Sequence, residues 1–194
     1  YYLSKRDIYN NSSLPEVEIA ALFIFLNRTC FNGLYRVNSK GKFNVPHGKY
    51  ATPRICDEDT ILADSHILQK VEILCGDFAE TAVYASPNAL FYFDPPYNPL
   101  SKTSSFNSYA KEEFDDNEQI RLRDFCSKIA GYKANFILSN SDVKGKNEDE
   151  GFFDEIYNAY NIRRVMATRM VNANPDKRGK LSELMISNIN MIYR

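Results

Sequence analysis

The chain has 194 residues, 44% of them hydrophobic and 25% charged, with a net charge of −1. That is the length of one domain carrying at most a small insert and the composition of an ordinary folded protein, which excludes a disordered chain and a second full domain. Tyr1 to Asn10 has no apolar run for a signal peptide, and no stretch approaches the roughly eighteen apolar residues of a membrane span, so neither export nor insertion is expected.

The net charge hides an uneven distribution. Asn27 to Cys56 contains Arg28, Arg36, Lys40, Lys42, Lys49 and Arg54 and no acid, and Arg163 to Lys180 contains six basic residues against Asp176 alone. Acids gather instead at Glu112 to Glu118 and Glu148 to Glu155. One such run is ordinarily a solvated face, but two that hold half of all Lys and Arg favour a polyanionic partner. Cys30, Cys56, Cys75 and Cys126 are widely spaced, with only His47 and His66 as further metal ligands. This spacing predicts free thiols in a reducing cytoplasm and no bound metal.

In chain order, Ile19, Leu22, Phe23 and Leu26 follow Pro15 at helical spacing, which predicts a mostly buried helix over Leu14 to Cys30 capped by Ser12 or Ser13. Phe31 to Pro53 is rich in Gly, Asn and Ser interleaved with Phe31, Tyr35, Phe43 and Tyr50, the pattern of a loop or hairpin that carries contacts. A weak helical pattern covers Asp57 to Lys70. Val71 to Gly76 reads as a strand, and Ala89 to Phe93 as a fully buried strand that stops at Asp94-Pro95-Pro96. A helix is predicted over Asp115 to Gly131 and a strand over Asn135 to Asn140. Asn161 to Arg169 and Leu181 to Asn188, with no helix between them, predict an antiparallel hairpin at a sheet edge. The alternation of strand and helix indicates an α/β domain. The expected division is residues 1 to 70 as a helix plus basic loop, and residues 71 to 194 as the α/β region.

The sharpest chemical signal is Asp94-Pro95-Pro96-Tyr97. A carboxylate at a strand end accepts one hydrogen of an amino group and the Pro95 carbonyl the other, leaving the nitrogen lone pair free to react. The prolines remove backbone donors and stiffen the turn, and Tyr97 offers a face on which a base stacks.

These residues resemble the catalytic tetrapeptide of amino-group methyltransferases, and the wider chain resembles the DNA adenine methyltransferase (Dam, D12 class) family. Leu26 to Asn38 and Gly41 to Tyr50 are similar to the family's DNA-reading segment, Leu138 to Asp142 to its motif on the next strand, and Lys177 to Asn188 to its closing hairpin. The resemblance implies a Rossmann-like S-adenosylmethionine-dependent methyltransferase fold with a small helical and hairpin DNA-recognition subdomain. It implies methyl transfer to N6 of adenine in duplex DNA, commonly within GATC, after the base is flipped out of the stack. Asp94, Pro95, Pro96 and Tyr97 would form the catalytic turn, and Asp77, Phe78 and Asp94 would touch the cofactor. Phe31 and Asn32 would enter or contact the duplex beside the target, and Leu34, Arg36 and Pro46 would meet base edges, with Arg36 suited to guanine. Arg28, Asn38, Lys42, Asn44, Lys177 and Arg178 complete the expected DNA-contacting set.

One departure from the family pattern matters: its glycine-rich cofactor loop has no counterpart, since no Gly-x-Gly occurs among the eight glycines. The fold is therefore expected to be incomplete at its N-terminus and to be completed by a further segment in cis or in trans. The expected setting is a monomer in the cytoplasm of a bacterial or phage-infected cell, where the DNA is. Cytosine or glutamine methyl transfer within the same fold is disfavoured by the DNA-reading segment. The alternative from another class is a catalytically inactive DNA-binding remnant.

Overall fold

The computed structural model describes residues 1–97, 114–142, 151–168 and 180–189. They fall into two compact units, one ending at Cys75 and the other beginning at Gly76.

In the first unit, α1 (Tyr2–Asn11) and α2 (Glu16–Thr29) pack together and against the loop that follows. The sequence pattern gave no sign of α1, because its segment is polar apart from Tyr2, Leu3, Ile8 and Tyr9. Ser12 ends α1 rather than capping α2, whose N-cap is Pro15 without a side-chain hydrogen bond. Glu16 and Glu18 in the first turn complement the exposed amide dipoles instead. The expectation of a mostly buried α2 is corrected: only Leu26 and Thr29 are fully covered. Among the described residues α1 and the loop pack on one stripe of α2, and Val17 and Phe23 remain exposed. The core consists of Tyr2, Leu26, Cys30, Phe43 and Val45, with Tyr9, Phe25 and Leu34 against it. Phe43 and Val45 thus anchor a loop that sequence alone read as a surface for contacts. α3 (Glu58–Leu68) matches the weak helical pattern and buries none of its residues.

The second unit is built on a four-stranded mixed sheet in the order β1-β2-β4-β3. β1 (Leu90–Phe93) runs parallel to β2 (Asn135–Ser141), with Phe93 opposite Leu138. β4 (Lys180–Ser187) is antiparallel to β2 and to β3 (Asn161–Thr168), so the expected hairpin forms at the sheet's far side. α4 (Asp116–Gly131) begins where the Asp115 carboxylate accepts the Glu118 N–H at 3.0 Å. That acceptance holds the Asp115 carboxyl below the usual carboxylate range. Leu122, Phe125, Cys126 and Ile129 from α4 pack with Phe136 and Leu138 of β2 and Leu184 and Ile186 of β4. Phe153, on the short α5 (Phe152–Ile156), and Tyr157 close the same core.

Two strand expectations are corrected. Val71 to Gly76 is irregular, and Val71, Ile73 and Leu74 are exposed: none of the described strands lies beside it, and an unpaired segment gains no ladder bonds. Nor is the strand before Asp94 fully buried. Among the described residues β1 lies at the edge of the sheet, its Phe91 and Phe93 facing the core while Leu90 and Tyr92 stand 61% and 64% exposed. Among the described residues, no helix is long and apolar enough to cross a membrane, and no cluster of His, Cys, Asp or Glu is arranged to hold a metal.

Candidate functional site

β1 delivers Asp94 to its C-terminal end because Phe91 and Phe93 are locked beneath it, each ring packed edge-on against Phe125 of α4. The adjacent strand β2 runs on past the end of β1, and its Ser139 donates its hydroxyl to Asp94 Oδ1 at 3.0 Å. The same hydroxyl oxygen receives the Tyr92 O–H at 3.3 Å. Tyr97 is half-buried and its hydroxyl also meets Ser139. Burial pushes the Tyr97 hydroxyl's pKa up, Ser139 opposes the shift, and the nearby Glu183 and Asp94 carboxylates add to it. Asp94, Tyr92 and Tyr97 therefore share one hydroxyl, which orients the carboxylate and leaves its second oxygen to accept a donor from outside.

The turn is also held from below. Gln119, fully buried in the first turn of α4, donates its amide to the Pro96 carbonyl at 3.2 Å and accepts the Asn140 amide at 3.1 Å. Sequence reasoning overlooked both Gln119 and Ser139. For Gln119 a signal existed: it shares the helical stripe of Leu122, Cys126 and Ile129, so its polar end had to point inward. Ser139 carried no comparable mark.

Asp77 and Phe78, expected against the cofactor, sit at the start of a 3-10 helix over Phe78–Tyr84. The Asp77 carboxylate caps that helix at Ala79 and takes a two-pronged bond from Arg121 at 2.9 and 2.8 Å. The guanidinium holds the Asp77 carboxyl below its usual range. It also lies 4.1 Å from the Phe78 ring centre. Both Asp77 oxygens are thus already engaged. The residues present fit the reacting end of a methyl donor at Asp94, while at Asp77 both oxygens already accept hydrogen bonds within the unit. Asp142, in the motif after β2, accepts from Arg164 and Ser182, and Arg164 also binds Asp154 at 2.7 Å. These bonds tie the ends of β2, β3 and β4 together and remove Arg164 from the basic surface read in the sequence.

The expected DNA-contacting residues up to Pro46 all belong to the first unit. Phe31, Asn32 and Gly33 form a 3-10 turn with Phe31 exposed and Asn32 in the left-handed region at φ 55°. The turn is pinned by Phe31 N–H to the Pro46 carbonyl at 2.9 Å, Asn32 N–H to the Tyr50 hydroxyl at 2.9 Å, and the Asn27 amide to the Gly33 carbonyl at 2.7 Å. Leu34 is half-buried against the core, whereas Pro46 is exposed. Arg36 is exposed, with Nε bonded to Asn44 Oδ1 at 2.7 Å and one terminal nitrogen to the Asn44 carbonyl. Asn38 spends its side-chain oxygen on the N–H groups of Lys40 and Lys42, closing a tight turn, and the Lys42 ammonium is bonded to Asn11. Arg28 is exposed in the last turn of α2. Lys177 and Arg178 lie outside the described residues.

A family model described as D12 class N6 adenine-specific DNA methyltransferase matches residues 1–171. The chain is 48% identical over 191 residues to the type II methyltransferase M.MjaIII of Methanocaldococcus jannaschii, covering 97% of the chain and 64% of that protein. It is 39% identical to the type II methyltransferase M1.LlaDCHI of Lactococcus lactis subsp. cremoris, covering 97% and 66%. To a DNA adenine methylase of Haemophilus influenzae it is 39% identical, covering 95% and 62%. The chain thus spans a little under two thirds of the length of these relatives.

Proposed function

From the membership of this chain in the D12 class of N6 adenine-specific DNA methyltransferases, we propose that it carries the adenine-holding and DNA-reading parts of an enzyme that methylates N6 of adenine in duplex DNA, within GATC. The observation that carries the reading is the Asp94 carboxylate at the end of β1, one oxygen accepting from Ser139 and the other without a partner among the described residues. When bound, S-adenosylmethionine supplies a methyl group made electrophilic by its sulfonium.

The chain's own residues handle the acceptor. An adenine inside the duplex cannot reach Asp94, so the base is flipped out and stacks on Tyr97. Its amino group donates one hydrogen to the open Asp94 oxygen and one to the Pro95 carbonyl, which aims the nitrogen lone pair out of the base plane. Positive charge develops on that nitrogen as the new N–C bond forms and the methyl's bond to sulfur breaks, the oriented carboxylate stabilises it, and the nitrogen then loses one hydrogen as a proton to solvent. Phe31 and Asn32 occupy the gap beside the target, while Arg36, Leu34 and Pro46 read base edges from a loop whose shape is set by Phe43 and Val45. The backbone is held by Arg28, Lys42, Lys177 and Arg178. The enzyme works as a monomer on DNA in the cytoplasm, with a further segment completing the donor pocket.

Transfer of tritiated methyl groups to duplexes with and without GATC tests the reading in the full-length protein. Label in adenine of the GATC duplex alone is expected. Binding of both duplexes without any transfer identifies an inactive DNA-binding remnant, and label in cytosine defeats the assignment.

A further inference from the structure

The Asp94-Pro95-Pro96-Tyr97 turn has an anchoring problem that its own sequence creates. Two successive prolines have no N–H, so the turn cannot fix itself through backbone donors at those positions. A carbonyl of the turn is fixed in place only by a donor from elsewhere.

Within the second unit, that donor is Gln119. The hydrogen-bond directions form a chain with one consistent polarity. The Ser141 N–H occupies Asn140 Oδ1 at 2.8 Å, which turns the Asn140 amide hydrogens toward Gln119 Oε1 at 3.1 Å. Gln119 is left with its own amide hydrogens facing the Pro96 carbonyl at 3.2 Å. Neither amide can flip without placing two donors or two acceptors face to face. Both side chains are completely buried, beside Leu122 and Leu138, where an unmatched amide is strongly disfavoured. A buried Gln and Asn at these places therefore have one arrangement, and its free end is the turn.

We propose that Gln119, oriented by Asn140, is a positioning residue that fixes the Pro96 carbonyl and so sets the Asp94 carboxylate and Pro95 carbonyl as a matched pair of acceptors for the target amine. Ser139 holds the side-chain half of that pair and Gln119 the backbone half. The inference rests on the function proposed for the turn and adds the residue that gives the turn its geometry.

Two substitutions in the full-length enzyme test it. Gln119→Met keeps the length and removes the donor. Single-turnover methyl transfer should fall roughly ten- to a hundredfold, the scale of a small misplacement of reacting groups, with DNA affinity unchanged within about twofold. Gln119→Glu keeps the acceptor for Asn140 but, when ionised, has nothing to donate to Pro96. A carboxyl buried here has a raised pKa, and once protonated its O–H restores the missing donor. Its rate relative to the parent enzyme should therefore climb as pH falls from about 8 to about 6, whereas Gln119→Met should show no such recovery. Circular dichroism normalises each rate to folded protein. A Gln119→Met enzyme with the parent rate, or a Gln119→Glu enzyme without relative recovery in acid, overturns the proposal. Should the parent methylate no adenine at all, the function proposed for the turn fails, and the carbonyl resonance of Pro96 in 13C-proline-labelled protein decides the positioning claim alone. A shift that moves in Gln119→Met and returns on acidification in Gln119→Glu supports it, and one that does neither refutes it.

Discussion

A carboxylate does useful work on an amine only if its geometry is fixed before the amine arrives. Asp94 has one oxygen tied to Ser139, and its strand is pinned by Phe91 and Phe93 against Phe125. Asp94→Ala should lower turnover by at least about two orders of magnitude with little change in DNA affinity, as measured by single-turnover kinetics and fluorescence anisotropy. Near-normal turnover would mean that the carboxylate does not stabilise the reacting nitrogen. Arg36 presents a similar case in the other unit, because Asn44 holds it by side chain and carbonyl. Arg36→Ala should cost about 1–3 kcal/mol at one base pair and relax specificity there. Asn44→Ala should give a smaller loss confined to the same base pair, whereas Lys40→Ala should weaken all sequences alike and flatten the salt dependence. Equal losses on GATC and on a guanine-substituted site would make Arg36 a phosphate contact. Asp94 and Arg36 stand out in the sequence because their neighbours are distinctive. Gln119 was marked only by its place on the apolar stripe of α4, and Ser139 carried no such mark, since what either side chain bonds to depends on packing.

At the scale of elements, the sequence was most informative where periodicity and chemistry agreed. α4, with its Asp115 cap and apolar stripe, formed as read, and so did β2 and the β3–β4 pair. It was least informative where an element depends on a partner distant in the chain, as for Val71 to Gly76, or where a polar helix such as α1 buries few residues. The loop that presents Phe31 illustrates the same dependence. Gly48 donates its N–H to the Thr29 carbonyl, and a Cβ on it would stand 2.4 Å from the Tyr50 ring and 2.6 Å from the Cys30 carbonyl. Those neighbours include the ring whose hydroxyl accepts the Asn32 N–H. Gly48→Ala should therefore destabilise the first unit by about 1–3 kcal/mol in urea titrations and weaken DNA binding by moving the Phe31 turn. An alanine variant with parental stability and affinity would show that the close approach of Gly48 to Tyr50 has no bearing on the turn.

At the scale of the whole molecule, the open side of β1 governs what the chain can do alone. Among the described residues β1 has a ladder only with β2, and its Leu90 and Tyr92 face outward, an arrangement that sheet proteins ordinarily cover or pair. Donor sites of Rossmann-like sheets lie across the ends of neighbouring strands and need a glycine turn for close backbone approach. On the function proposed, Asp94 forms one side of such a site, whereas Asp77 already accepts from Arg121 and the 3-10 helix, and the sequence contains no Gly-x-Gly. Residues 1 to 194 should therefore bind S-adenosylmethionine weakly or not at all. Calorimetric titration of the purified chain should show no saturable heat at micromolar cofactor, and a longer protein in which a further strand pairs with the free edge of β1 should show it. The titration can be repeated with Arg121→Ala, which frees the Asp77 carboxylate. If that change alone produced micromolar binding, Arg121 rather than a missing neighbour of β1 would be what closes the site. A stoichiometric, micromolar isotherm from the unaltered chain would be decisive the other way: the edge of β1 would then need no partner, and the donor would be held by residues other than the ones assigned to it.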